Sequence, residues 1–372
     1  MSPPKLFQPF KLGSLNLAHR IVMAPLTRFR ANKDHVHGGL AKTHYEQRGS
    51  VPGTLLITEA TFIAAKAGLY DHVPGIWSDA QIEGWKRVVD AVHDKGSYIV
   101  LQLWALGRAT DIDSLKREDP SFEVVSASDI PIKGKPAPRP LTVPEIKEYV
   151  QLYATAARNA VHGAGFDGVE IHGANGYLID QFIQDTSNNR ADEYGGSIEN
   201  RSRFALEVVD AVIAAIGASR TGIRLSPWSP FNDMRMADPI PQFSYLIRAM
   251  RDAHPDMAFI HLVEPRVSGG SDCNSQHDDE SNDFARDIWR GDGRAFISAG
   301  GYTREKAITV AEEKGDLIAF GRTFISNPDL PLKLKEDIPL TPYNRDTFYL
   351  PENPKGYNDY PFVDSQIDVA RL

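Results

Sequence analysis

Two hydrophobic rhythms alternate along the chain. Short apolar runs suited to buried strands occupy 20–24, 54–58, 98–103, 168–171, 222–225, 258–263, 295–298 and 317–320. Between them lie stripes at helical spacing: Ile82, Trp85, Val88, Val89 and Val92, then Ile146, Tyr149, Tyr153, Ala156, Ala157 and Ala160, then Ile198, Ala205, Val208, Val209, Val212 and Ile216. Strand and helix alternating through eight units predicts a closed parallel barrel, a TIM (β/α)8 domain spanning 1–372. A doubly wound sheet would need a glycine-rich dinucleotide loop after its first strand. The chain has Pro25-Leu26-Thr27-Arg28 there instead.

Two polar stretches interrupt the pattern. Residues 108–140 follow strand three, end in a proline-rich run, and predict an insertion with a short hairpin of its own. Residues 265–283 follow strand six and include His277-Asp278-Asp279-Glu280, read as a solvated loop rather than a metal site. Loops of this length in a compact domain are often lids or binding loops.

Composition narrows the function classes. The 372 residues carry a net charge of −8 with basic residues scattered, which argues against nucleic acid or an anionic membrane as the main partner. The single cysteine, Cys273, excludes an internal disulfide and reads as an incidental loop thiol. Neither a signal-peptide core nor a membrane-length apolar run is present, so a cytoplasmic location is expected. The final Ala370-Arg371-Leu372 resembles a degenerate peroxisomal address.

Chemistry concentrates where strand four ends. His172, Asn175 and Tyr177 fall within six residues, separated by Gly173 and Gly176. Glycine lets a backbone bend sharply, so three hydrogen-bonding side chains can share one tight turn. Two can donate to a developing oxyanion, and the third is a phenol that can release a proton. Other polar residues also lie at strand ends: Glu59, Gln102 and Arg224. Gly300-Gly301 and Gly321-Arg322 follow strands seven and eight, the usual phosphate site of this barrel. A phosphate-bearing ligand is therefore expected.

The stretch His172-Gly-Ala-Asn-Gly-Tyr-Leu178, followed by Asn189-Arg-Ala-Asp-Glu-Tyr-Gly-Gly-Ser-Ile-Glu-Asn-Arg201, resembles the signature of the old yellow enzyme family, FMN-dependent ene-reductases on a TIM barrel. Met23–Arg28, Gln102–Gly107, His261–Arg266 and Phe320–Leu330 extend the resemblance over nearly the whole chain. It implies FMN as cofactor, NADPH or NADH as reductant, and a small activated alkene as substrate. It places Ala24, Pro25, Thr27, Ala60, Gln102 and His172 against the flavin and Arg224 at its pyrimidine edge. Gly300, Gly301, Gly321 and Arg322 would hold the phosphate, with Phe348 and Tyr349 flanking the cofactor. Tyr70 and Trp104 would line the substrate side, His172 and Asn175 would bind the substrate oxygen, and Tyr177 would supply the proton. Three departures are Ala60 for a frequent Gly, Gly301 for Asn, and Arg108 where close relatives carry an aromatic residue.

Other readings are weighed beside this one. A redox-neutral flavin isomerase would not need the Tyr177 hydroxyl. A metal-dependent hydrolase or aldolase needs clustered His and carboxylates, or a Lys, at strand ends. His35, His37 and His44 are the only local His group, with no strand-end carboxylate expected nearby, so no metal is expected. A non-catalytic binding protein leaves Tyr177 without a task. The sequence leaves monomer and homodimer open.

Overall fold

A computed structural model of the chain describes residues 3–272, 280–291 and 294–363. Cys273, His277-Asp278-Asp279 and the terminal Ala370-Arg371-Leu372 lie outside the described residues. All eight expected strands form: β1 (Ile21–Met23), β2 (Leu55–Ile57), β3 (Tyr98–Trp104), β4 (Gly168–Gly173), β5 (Thr221–Leu225), β6 (Phe259–Val263), β7 (Ala295–Ala299) and β8 (Leu317–Phe320). Each pairs in parallel with the next, and β8 pairs with β1 to close the barrel.

The main helices around them are α1 (Gly39–Arg48), α2 (Asp79–His93), α3 (Val143–Arg158), α4 (Ile198–Ile216), α5 (Ile240–Ala253), α6 (Asp283–Trp289), α7 (Arg304–Lys314) and, after β8, α8 (Leu330–Lys335). Local sequence starts several of them. Ser78 with Gln81, and Thr142 with Glu145, form reciprocal caps that satisfy the first free N–H groups of α2 and α3. The predicted stripes on α2, α3 and α4 pack onto the outer face of the strands in one apolar layer.

Inside the barrel, the lower levels are apolar. Val22, Leu55, Ile57, Val100 and Phe259 meet Leu12 and Leu17 of an N-terminal hairpin, Phe10–Leu12 paired with Leu15–Leu17. That hairpin plugs the floor and was not legible as an element in the sequence. Gly222 is what lets Phe259 fill the interior, since a Cβ there would lie 2.3 Å from its ring. Side chains two residues apart on a strand face the same side. The level above therefore holds Gln102, Glu170 and His261, and the barrel wall turns from apolar to polar towards the strands' C-terminal ends.

The insertion after β3 differs from the expected hairpin. It carries a helix, Ile112–Glu118, and two short strands, Val125–Ser126 and Arg139–Pro140, that pair in parallel. A parallel pair needs a crossover rather than a tight turn, and residues 127–138 supply it. The loop after β6 does form a hairpin, Val267–Ser268 against Ser271–Asp272.

Candidate active site

Beyond Gly173 the chain turns through Asn175 and Gly176, at φ 57° and 70°. Asparagine tolerates this left-handed region better than most residues, and glycine enters it freely. A side chain at Gly176 would also collide with Met234 and Asn232, since a Cβ would lie 2.6 and 2.7 Å from them. The turn is tied on every side. Asn175 N donates to Ser226 Oγ (2.7 Å), and Asn232 Nδ2 donates to the Asn175 carbonyl (3.0 Å). Gly176 N donates to Asp180 Oδ2 (2.8 Å), and its carbonyl accepts from Gln181 Nε2 (2.7 Å). Burial pushes the Asp180 carboxyl up to about 7.

His172 is buried at the start of this turn. The Ala174 N–H donates to its Nδ1 (3.3 Å), which assigns the ring proton to Nε2. Burial, with Arg224 and His261 nearby, holds the imidazole well below its ordinary pKa, so it is neutral. A neutral ring with Nδ1 engaged keeps one N–H to offer. Tyr177 stands edge-on to His172 (5.0 Å between ring centroids) and to Trp104 (4.8 Å). Burial raises its phenol above the ordinary value, so it holds its proton at neutral pH. Trp104 in turn stacks on Phe62 at 5.1 Å.

These side chains open onto a cavity of about 680 Å³ over the C-terminal ends of the strands. Ala24, Pro25, Thr27, Ala60, Gln102 and Arg224 form its inner wall. Arg224 Nε is buried without a partner, although the wall around it is polar. At the far end, Gly300, Gly301, Gly321 and Arg322 line the cavity with Arg266 and Lys306. Gly300 and Gly301 take φ 134° and 59°, backbone conformations that a side chain would strain. Arg322 forms an ion pair with Asp272 of the hairpin after β6, and Nη1 also donates to Tyr343 Oη (3.2 Å). Arg266 lies over the Tyr302 ring at 4.5 Å, with Nε and Nη2 unpartnered.

Tyr70 and Tyr349 line the cavity, and Tyr70 Oη donates to the Ala109 carbonyl (2.7 Å). Phe348 does not line the cavity. It is buried behind Tyr343, with the Arg28 guanidinium over its ring at 5.7 Å. Arg108 does not reach the cavity either. It is buried and donates to the carbonyls of Ile130 (3.0 Å) and Asn232 (2.9 Å), so it braces the residue that braces Asn175.

One sequence expectation is corrected. His37 does have a strand-end carboxylate nearby, because its Nε2 lies 3.3 Å from Glu59 Oε1 with both side chains buried. Packing brings the segment before α1 against the end of β2, a contact that loop spacing does not encode. No three-residue metal-binding group occurs among the described residues.

The sequence reading also missed lining residues. Arg266 closes the His261–Arg266 stretch and so carried a motif signal, whereas Phe29 lies one position past Met23–Arg28. Phe231, on the loop after β5, carried none.

The residues present fit a flavin mononucleotide. A cavity of this size suits a cofactor. Its inner wall offers an amide and a buried guanidinium with a free N–H to a polar ring edge. Its far end offers glycine backbone and three cations to a phosphate. Among the described residues no helix is long and apolar enough to cross a membrane.

Comparison with known proteins gives the same picture. The family model for the NADH:flavin oxidoreductase / NADH oxidase family matches residues 5–341. The chain is 50% identical to the NADP-dependent oxidoreductase lnbE of Aspergillus flavus, covering 98% of both chains. It is 53% identical to the chanoclavine-I aldehyde reductase fgaOx3 of Penicillium roqueforti, covering 96% of both. Among solved structures it resembles Old Yellow Enzyme from Pichia sp. AKU4542, with a TM-score of 0.88, 39% identity, and 97% and 94% of the two chains covered. The chain thus belongs to the NADH:flavin oxidoreductase / NADH oxidase family, the old yellow enzyme family, and is a flavin oxidoreductase that uses FMN and a nicotinamide reductant on activated alkenes.

Proposed function

We propose that the protein reduces the C=C bond of α,β-unsaturated aldehydes, ketones or nitro compounds with NAD(P)H. The observation that carries this reading is the neutral, Nε2-protonated His172 sharing one turn with Asn175 and Tyr177 at the cavity. A bound, reduced FMN would supply the hydride for the alkene's β-carbon. His172 donates from Nε2 to the substrate's carbonyl or nitro oxygen, and Asn175 adds a second donor. Donors fixed in place matter most as negative charge develops on that oxygen. Tyr177 then gives its proton to the α-carbon, so one hydride and one proton saturate the bond. Trp104, Tyr70 and Phe29 pack together along one wall of the cavity.

The name of the Penicillium roqueforti relative supports an aldehyde as activating group, and that of the Aspergillus flavus relative supports NADPH. Reduction is favoured over redox-neutral isomerisation because Tyr177 keeps its hydroxyl proton. The test is anaerobic reoxidation of the reduced protein by a panel of enals, enones and nitroalkenes. Saturated product, formed in step with NAD(P)H consumed, is expected. Migration of the double bond with no net consumption would replace the reading with isomerisation, and no reoxidation by any member would sink it.

A further inference from the structure

Gln102, Arg224 and His172 line the cavity, and a carboxylate that the proposed reaction does not use lies beneath them. Glu170 is fully buried on β4, two residues before His172, and both point into the barrel. Its two oxygens have separate partners. Gln102 Nε2 donates to Oε1 at 2.7 Å, and His261 Nδ1 donates to Oε2 at 2.7 Å. Strand register sets this up: Gln102 faces Glu170 across β3–β4, and Arg224 faces both His172 and His261.

Two consequences follow. Gln102 gives one N–H of its amide to the carboxylate, which fixes which way the amide faces and leaves its carbonyl oxygen as an acceptor on the cavity that it lines. Turning the amide over would set that oxygen against an anion. The wall therefore offers an acceptor at Gln102 and a donor at Arg224, whose buried Nε has no partner. That order matches an imide edge, where an N–H stands beside a carbonyl. The second consequence is electrostatic. Glu170 is an anion close enough to favour the charged form of Arg224, although burial opposes it. It also opposes negative charge gathering on a ligand at the same wall.

We propose that Glu170 is the positioning residue for the flavin's pyrimidine edge: it locks Gln102 with its carbonyl towards the cavity and, as a buried anion, lowers the flavin's affinity for electrons. The inference rests on FMN lying against Gln102 and Arg224.

The test is Glu170→Gln, reconstituted with FMN, with FMN affinity read by flavin fluorescence and midpoint potential by dye equilibration. The dissociation constant should rise about 10-fold, the scale of one hydrogen bond to a charged group. The potential should rise, a tenfold change in the reduced-to-oxidised ratio being roughly 30 mV for a two-electron couple. In a Gln102→Ala background the same substitution should change affinity by less than about twofold, because the group it acts through is gone. It should still raise the potential there. Unchanged affinity and potential in Glu170→Gln would overturn the proposal, and so would an equal affinity loss in both backgrounds. Should Glu170→Gln fail to fold, Glu170→Asp keeps the charge and shortens its reach. Affinity should then fall while the potential stays near that of the parent, and a potential that moves would overturn the electrostatic half. A parent chain that takes up no FMN would instead overturn the flavin placement itself.

Discussion

In the turn after β4, the peptide groups of Asn175 and Gly176 are tied to Ser226, Asn232, Asp180 and Gln181. In the loop after β6, Arg322 meets Asp272, whose side chain is 61% exposed. Both regions face the same cavity. The first is buried and hydrogen-bonded, and it holds side chains in one geometry. The second is partly solvated, with Arg322 held by Asp272 and Tyr343, and it offers charge through fewer ties. The difference follows from what each must do. On the proposed reaction a proton reaches one carbon atom, so its donor has to be fixed. On the same proposal the second region neutralises a phosphate, and several arrangements of cations achieve that. Buried networks give placement at high cost when broken, whereas exposed ion pairs contribute only ~0–1 kcal/mol each.

The largest expected effect lies in the fixed region. Tyr177→Phe keeps the ring and removes only the proton. Reoxidation of the reduced protein by an enone should slow by roughly 10²–10⁴-fold, the usual contribution of general acid catalysis. Reduction by NADPH should stay near the parent rate. Stopped-flow measurement of both half-reactions decides this, and equal slowing of both would indicate a disturbed fold or flavin site.

Next comes the anchor of the turn. The Asp180 carboxyl is raised from 3.8 to about 7 in the fold. Its contribution to stability is therefore full below pH 3.8 and is lost as pH rises through 7. Asp180→Asn keeps an acceptor for the Gly176 N–H and removes this titration. The variant should gain on the parent between pH 5 and 8, by up to about 3 kcal/mol if the whole shift is felt. Denaturant unfolding at both pH values measures it. His19, pushed down to about 4 by burial, has the opposite slope, gaining stability from pH 4 to 6.5, and cancels in the difference. A flat difference would show that the turn does not depend on a shielded carboxyl.

Smaller effects belong to the solvated region. Arg322→Ala should weaken FMN retention by about tenfold, the low end for a charge-assisted contact that water partly screens. Measured by flavin release during gel filtration, the loss should be partial, because Arg266 and Lys306 remain. Asp272→Asn frees Arg322 from its ion pair and should raise FMN affinity by no more than about fivefold. A fall instead would mean that Asp272 orients Arg322, making this region more like the turn than the comparison allows.

The sequence by itself determined the eight-unit barrel. Strand and helix periodicities are local, and each needs only its own few residues to be seen. It also determined the turn that carries His172, Asn175 and Tyr177, because three polar side chains between glycines are contiguous. Tertiary structure alone decided what depends on residues far apart. Glu170 meets Gln102 across 68 positions and His261 across 91, and no spacing rule links them. Arg108 was legible as an unusual residue, but only packing turned it from the pocket to the carbonyls of Ile130 and Asn232. Phe348 and Tyr349 are neighbours in sequence, yet one is buried behind Tyr343 and the other lines the cavity. The physical reason is the same in each case. Local pattern fixes which face of an element is apolar, whereas barrel closure and strand register decide which polar groups are forced together inside it and must satisfy one another there.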